Sequence, residues 1–230
     1  MKQHTMRSGG FTLMEILVAL TIFAMVAVLA FGAFSYAARE QARVSGSTAA
    51  EMTAAACLER MARDLSCAYV VQPPVYTAPL PGEDPPEFRI FGVNDSEGSG
   101  LGRLRFASTA HVSFERPPFG GIARIEYYTE PTVENEHVLR RSDTLFPYAP
   151  GDEALKDPIL CEHLTSVAFY FYDRKGDVRR RWDSADPETA YATPAAVRVV
   201  LEFLDAQKRR VFETTVPLPV QREPTQSPGR

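Results

Sequence analysis

Ser8-Gly9-Gly10-Phe11-Thr12-Leu13-Met14-Glu15-Ile16-Leu17-Val18-Ala19-Leu20 opens the longest apolar run in the chain. The leader before it carries Lys2 and Arg7 and no acid, and a glycine pair then interrupts the backbone. From Ile16 to Phe34 the run is nineteen residues, broken mainly by Thr21 and Gly32. As a helix it would be ~28 Å long, close to the ~30 Å hydrocarbon core of a bilayer. Glu15 lies inside the start of this run. An acid there costs ~2.5–3.5 kcal/mol at a membrane centre and less near an end, so something should compensate it. Glu15 is therefore a functional candidate.

The stretch Gly-Phe-Thr-Leu-x-Glu, followed by an apolar helix, resembles the leader motif of type IV pilins and type II secretion pseudopilins. The resemblance implies that a prepilin peptidase cuts between Gly10 and Phe11, that the new Phe11 amine is N-methylated, and that the helix packs into a filament. It also implies that Glu15 meets the amine of a neighbouring subunit, an ion pair that gains ~4 kcal/mol at ~4 Å and an effective dielectric of ~20. Two plainer readings compete: a secretory signal peptide cut near Tyr36-Ala37-Ala38, and a simple membrane anchor. The acid, the length of the run and the preceding glycine pair argue against them.

Outward from this stretch, residues 1–10 read as the leader, 11–36 as the membrane helix and 37–69 as its amphipathic continuation. Arg39 to Ser66 is alanine-rich and free of proline, which favours helix. Ala54, Leu58, Met61, Leu65 and Ala68 make one apolar stripe. It reads as the seam where the helix docks on its own domain. Glu59–Arg63 and Arg60–Asp64 read as i,i+4 pairs on other faces. Pro73-Pro74 ends the helical section, and 72–87 holds six prolines, a surface loop. Residues 94–100 read as a second loop with the oxygen ligands, but not the spacing, of a calcium site.

Residues 70–220 read as a β-rich domain. Its strongest strand is Val167 to Tyr172, with aromatic side chains on both faces. A turn at Asp173–Asp177 uses Gly176, and Val197, Val199, Leu201 and Phe203 alternate with Arg198 and Glu202. Residues 221–230 read as a disordered tail. The fold class expected is α+β: a long N-terminal membrane-spanning helix continuing into a pilin-like antiparallel sheet. Residues 159–219 further resemble the minor pseudopilin J of type II secretion. That resemblance implies minor pseudopilins I and K, a major pseudopilin and an inner-membrane assembly platform as partners. It places the domain in the periplasm and the N-terminus in the cytosol.

The net charge of −4 with mixed signs gives no basic stripe for nucleic acid. The four histidines are scattered, and no nucleophile elbow, zinc motif or phosphate loop occurs. The chain reads as a structural subunit with no cofactor and no metal. A minor pilin of a type IV pilus or DNA-uptake filament is the alternative, as is a tethered exported enzyme or binding domain. Of the cysteines, Cys57 and Cys67 are ~15 Å apart along a helix and too far to bridge. Cys161 has either as a partner, with Cys67 favoured because the helix ends there; three reduced thiols are the other reading.

Overall fold

The computed structural model describes residues 13–80, 82–94, 101–112, 120–132, 136–147, 157–205 and 208–225. Among the described residues, helix α1 (Leu13–Ser66) is followed by nine strands. These are β1 (Phe91–Asn94), β2 (Gly102–Ser108), β3 (Ala123–Pro131), β4 (His137–Leu145), β5 (Ile159–Tyr172), β6 (Val178–Arg179), β7 (Arg181–Asp183), β8 (Ala196–Asp205) and β9 (Lys208–Pro217). The chain divides into two units at Ala49/Ala50, within α1. The α+β architecture expected from the sequence is the one observed.

In the second unit all strands join one antiparallel sheet in the order β7-β1-β2-β3-β4-β5-β8-β9, with β6 paired to β5. Short connections between antiparallel neighbours explain the nearly sequential order. The exception is β7, which pairs with β1 and brings Trp182 opposite Gly92.

The sheet curls at β5, and the register shows why. Leu139 pairs with Cys161 and His137 with Leu164, so β5 carries one extra residue between those pairs. A second shift against β8 lies between Leu164 and Ser166. His163 takes φ 59, the left-handed conformation, inside the first bulge. Bulges bend a strand and increase its twist. Here they keep Cys161, Leu164 and Val167 all buried at a spacing of three, before period two resumes at Phe169 and Phe171.

The curl brings β1 and β2 against the second half of β5. Gly92 and Gly102 permit that approach. A Cβ on Gly92 would lie 2.1 Å from the Phe171 ring, and one on Gly102 would lie 2.6 Å from the Val167 carbonyl oxygen. Among the described residues no strand lies beside Phe169 on the β4-side edge of β5, and Asn94 takes that place. Its side-chain Oδ1 accepts from the Phe169 amide at 2.7 Å, and its Nδ2 donates to the Phe169 carbonyl at 2.5 Å. One amide side chain thus stands in for a strand residue. Asn94→Ala leaves both backbone groups unpaired and is expected to cost ~2 kcal/mol. Urea unfolding followed by fluorescence of Trp182, the only tryptophan and buried, measures it. A change below ~0.5 kcal/mol, as at an ordinary surface site, would refute the clamp.

The concave face buries Ile125, Leu139, Phe169, Phe171, Val199 and Leu201 in one core with Ala54, Cys57, Met61 and Leu65 of α1. The expected stripe is therefore the docking seam, with Leu58 only half-buried and Cys57 deeper than expected. Each fully buried large side chain contributes ~1.5–3 kcal/mol. The helix end is sewn to β2. The Tyr69 amide donates to the Ala107 carbonyl at 2.8 Å, and the Thr109 amide to the Cys67 carbonyl at 3.0 Å. The second bond satisfies a carbonyl that the helix end leaves open, and the Ser108 hydroxyl does the same for the Asp64 carbonyl at 2.9 Å.

One expectation needs correction. The tail was expected to be disordered from residue 221, yet Gln221 to Thr225 pack on the domain. Arg222 is 2% exposed and donates to the carbonyls of Tyr191, Ser184 and Val71, at 2.8, 2.7 and 3.2 Å. Its guanidinium also lies 3.4 Å from the centre of the Tyr76 ring. A segment without large apolar residues is held by one cation that satisfies three buried carbonyls. On the outer aromatic face of β5, arginines lie over the tyrosine rings. Arg198 stacks 4.7 Å from the Tyr170 ring centre and 5.9 Å from that of Tyr172, and Arg180 is 5.9 Å from Tyr170.

Candidate functional site

The first unit is helix alone where described. Leu13–Tyr36 is long and apolar enough to cross a membrane by length and composition. At 1.5 Å per residue it spans ~36 Å, enough for a ~30 Å core. Its large side chains, Leu13, Phe23 and Phe31 among them, are exposed, as lipid- or protein-facing groups must be before assembly. Thr21, the polar residue in the middle, donates its hydroxyl to the Val18 carbonyl at 2.8 Å. That bond hides its polarity within the helix itself.

Glu15 is in the first turn of this helix and is exposed. The helix dipole favours an anion there by ~0.3–1 kcal/mol. That offsets part of the cost of an acid in the bilayer. Gly10 and Phe11 lie outside the described residues. So do residues 95–100 of the possible calcium loop.

The second candidate region is the seam between α1 and the sheet. Asp64 is 0% exposed, although the sequence read it as half of a surface pair. Its Oδ2 accepts from the Tyr127 hydroxyl and from Arg141 Nε, the latter at 2.7 Å. Arg60 reaches Oδ1 at 2.8 Å as an ion pair, without the alignment of a hydrogen bond. The companion pair Glu59–Arg63 forms at 2.9 Å on the exposed surface, as read. Arg141 continues the network to Asp143 at 2.8 Å, and Asp143 accepts from the Val112 amide at 3.1 Å and meets His111 Nδ1 at 2.6 Å.

Burial works against the Arg141 charge, but the hydrogen bonds it donates to Asp64 and Asp143 outweigh it and hold the guanidinium above its ordinary value. Burial likewise opposes the Asp143 charge. Its hydrogen bonds with His111 and Arg141 outweigh that, so its carboxyl sits below the usual range. Burial first, then the adjacent Asp64 charge, push the Tyr127 phenol well up, so it stays a proton donor. The network is a fixed electrostatic bolt from helix to sheet.

All three cysteines are free, and Cys57 and Cys161 are buried in one core cluster, where each perturbs the other's ionisation. Among the described residues no group of three His, Cys, Asp or Glu side chains is arranged to hold a metal ion.

The matches to known families follow these two regions. A model described as type II secretion system, protein J, matches residues 32–214, which includes the docked part of the helix and all strands up to β9's Thr214. A model described as the prokaryotic N-terminal methylation motif matches residues 5–31, the leader and most of the apolar helix. No curated protein matches the chain.

Proposed function

The chain belongs to the type II secretion protein J family, and we propose that it caps a short periplasmic filament as a subunit processed at its leader and held by its helix. It is a minor pseudopilin, a structural subunit that assembles with other pseudopilins and the secretion machinery, and its apolar helix is a single-pass membrane anchor.

The observation that carries the proposal is the helix itself. One apolar segment with an acid in its first turn runs directly into the docked helix of a β domain. Prepilin peptidase cuts between Gly10 and Phe11 and the Phe11 amine is methylated. Lys2 and Arg7 keep the leader on the cytosolic side of the inner membrane, and the domain is exported to the periplasm. Companion minor pseudopilins I and K bind it at the tip, the major pseudopilin follows below, and the inner-membrane platform drives assembly. The chain is a substrate of the two modifying activities and not itself an enzyme.

Intact-mass spectrometry of the membrane-extracted protein tests this. The expected mature chain starts at Phe11 and carries one added methyl group. Gly10→Leu should leave the precursor uncut. A mature terminus at Ala38 would show an ordinary signal peptide and overturn the proposal.

A further inference from the structure

Two buried thiols meet where the helix crosses the sheet. Cys57 lies on the docked stripe of α1 and is 1% exposed. Cys161 lies on β5 opposite Leu139 of β4 and is 2% exposed. They belong to one core cluster, and each thiol perturbs the other's ionisation, as adjacent thiols do. The β5 bulge turns Cys161 inward here, because it lets Cys161 and Leu164 both point into the core. Nothing in the filament reading requires a thiol at either position.

We propose that Cys57 and Cys161 form a disulfide that clasps helix to sheet in the exported protein. The proposal rests on the periplasmic reading, because that compartment is oxidising. The oxidant is the disulfide of a thiol–disulfide oxidoreductase. Cys161 is taken as the first nucleophile, and exchanging the roles of Cys161 and Cys57 gives the same product. The Cys161 thiolate attacks one sulfur of the oxidant and breaks its S–S bond, leaving a mixed disulfide and one oxidant thiolate. Cys57 then gives up its proton, attacks Cys161 Sγ and expels the second oxidant thiolate. Two thiols lose two electrons and two protons, and the oxidant leaves as a dithiol. Both sulfurs are closed off in the docked domain, so the exchange belongs to the folding chain, as the helix settles on the sheet. The bond closes a loop of about a hundred residues, a length at which a cross-link strongly restricts the unfolded chain. Cys67 remains a free thiol.

The test uses the full chain, extracted from membranes in detergent with a thiol-alkylating reagent present throughout. The expected protein carries one alkyl group, on Cys67, and is about two hydrogens lighter than a reduced chain with the same single alkyl group. Proteolysis without reductant should yield the Cys57 peptide joined to the Cys161 peptide. Cys67→Ser should keep the cross-link and Cys57→Ser should lose it. A bond that includes Cys67, or alkylation of all three thiols, overturns the proposal. The N-terminus is read in the same spectrum. Three alkylated thiols on a chain that begins at methylated Phe11 mean that the cross-link failed and processing stands. Three alkylated thiols on a chain that retains its leader mean that the processing reading has failed as well. A purified, reduced chain that does not join Cys57 to Cys161 when refolded in oxidised glutathione also overturns it.

Discussion

Asp64→Ala is expected to destabilise the β domain by ~3–5 kcal/mol, the cost of leaving a buried partner charge uncompensated. The carboxylate is 0% exposed and touches Tyr127, Arg141 and Arg60. Removing it orphans the Tyr127 hydroxyl and takes one of two carboxylates from Arg141. At ~2–4 °C per kcal/mol for a domain of this size, the melting temperature should fall by on the order of 10 °C. Thermal unfolding of the full chain in detergent, read by Trp182 fluorescence, measures the loss. Arg141→Met alone should also be costly, because Asp64 then loses its hydrogen-bonded cation. The pair Asp64→Leu with Arg141→Met should be less destabilised than the sum of the single changes, since no buried charge is left facing an empty site. Additive losses would mean that the two residues act independently and that the bolt is no unit.

The same residue shows where the sequence was legible. Helix spacing placed Ala54, Met61 and Leu65 on the docking face because apolar periodicity reports burial directly. It could not place Asp64. In sequence, an acid four residues after Arg60 looks like any surface pair, and only Tyr127 and Arg141, far along the chain, make its burial tolerable. Strand β8 was legible because Val197, Val199, Leu201 and Phe203 keep strict period two. The first half of β5 was not. Two bulges shift its inward residues to a spacing of three, so Ile159 to Ser166 lack the alternation that marks Val167 to Tyr172. Arg222 was missed for a related reason. Composition assigned its segment to solvent, while its anchors are backbone carbonyls, which leave no trace in side-chain pattern. The membrane helix was readable from one local window because its environment is lipid and needs no distant residue.

Glu15→Leu is expected to insert and be processed as before, yet to lose at least tenfold of its co-assembly with neighbouring pseudopilins. Insertion should even become easier, since the substitution removes an acid that costs ~2.5–3.5 kcal/mol at a membrane centre and less near an end. Assembly should suffer because the proposed partner is the methylated amine of an adjacent Phe11. An α-amine titrates near ~8 and is mostly cationic at neutral pH. At ~4 Å and an effective dielectric of ~20, the pair gains ~4 kcal/mol before desolvation, and every 1.4 kcal/mol retained is about a factor of ten. Glu15→Asp keeps the charge on a shorter stem and should fall between the two. The β domain is a separate unit from the one that carries Glu15, so its Trp182 unfolding transition should not move. That control separates an assembly defect from misfolding. Co-purification with companion subunits after membrane extraction, run beside a secretion assay, gives the readout. Full co-assembly and full secretion by Glu15→Leu would mean that the acid is tolerated in the helix for reasons other than a neighbour's amine. Loss of both with an unchanged domain and a normal Phe11 terminus would tie the carboxylate to subunit packing, because insertion, cleavage and folding would each have been shown intact.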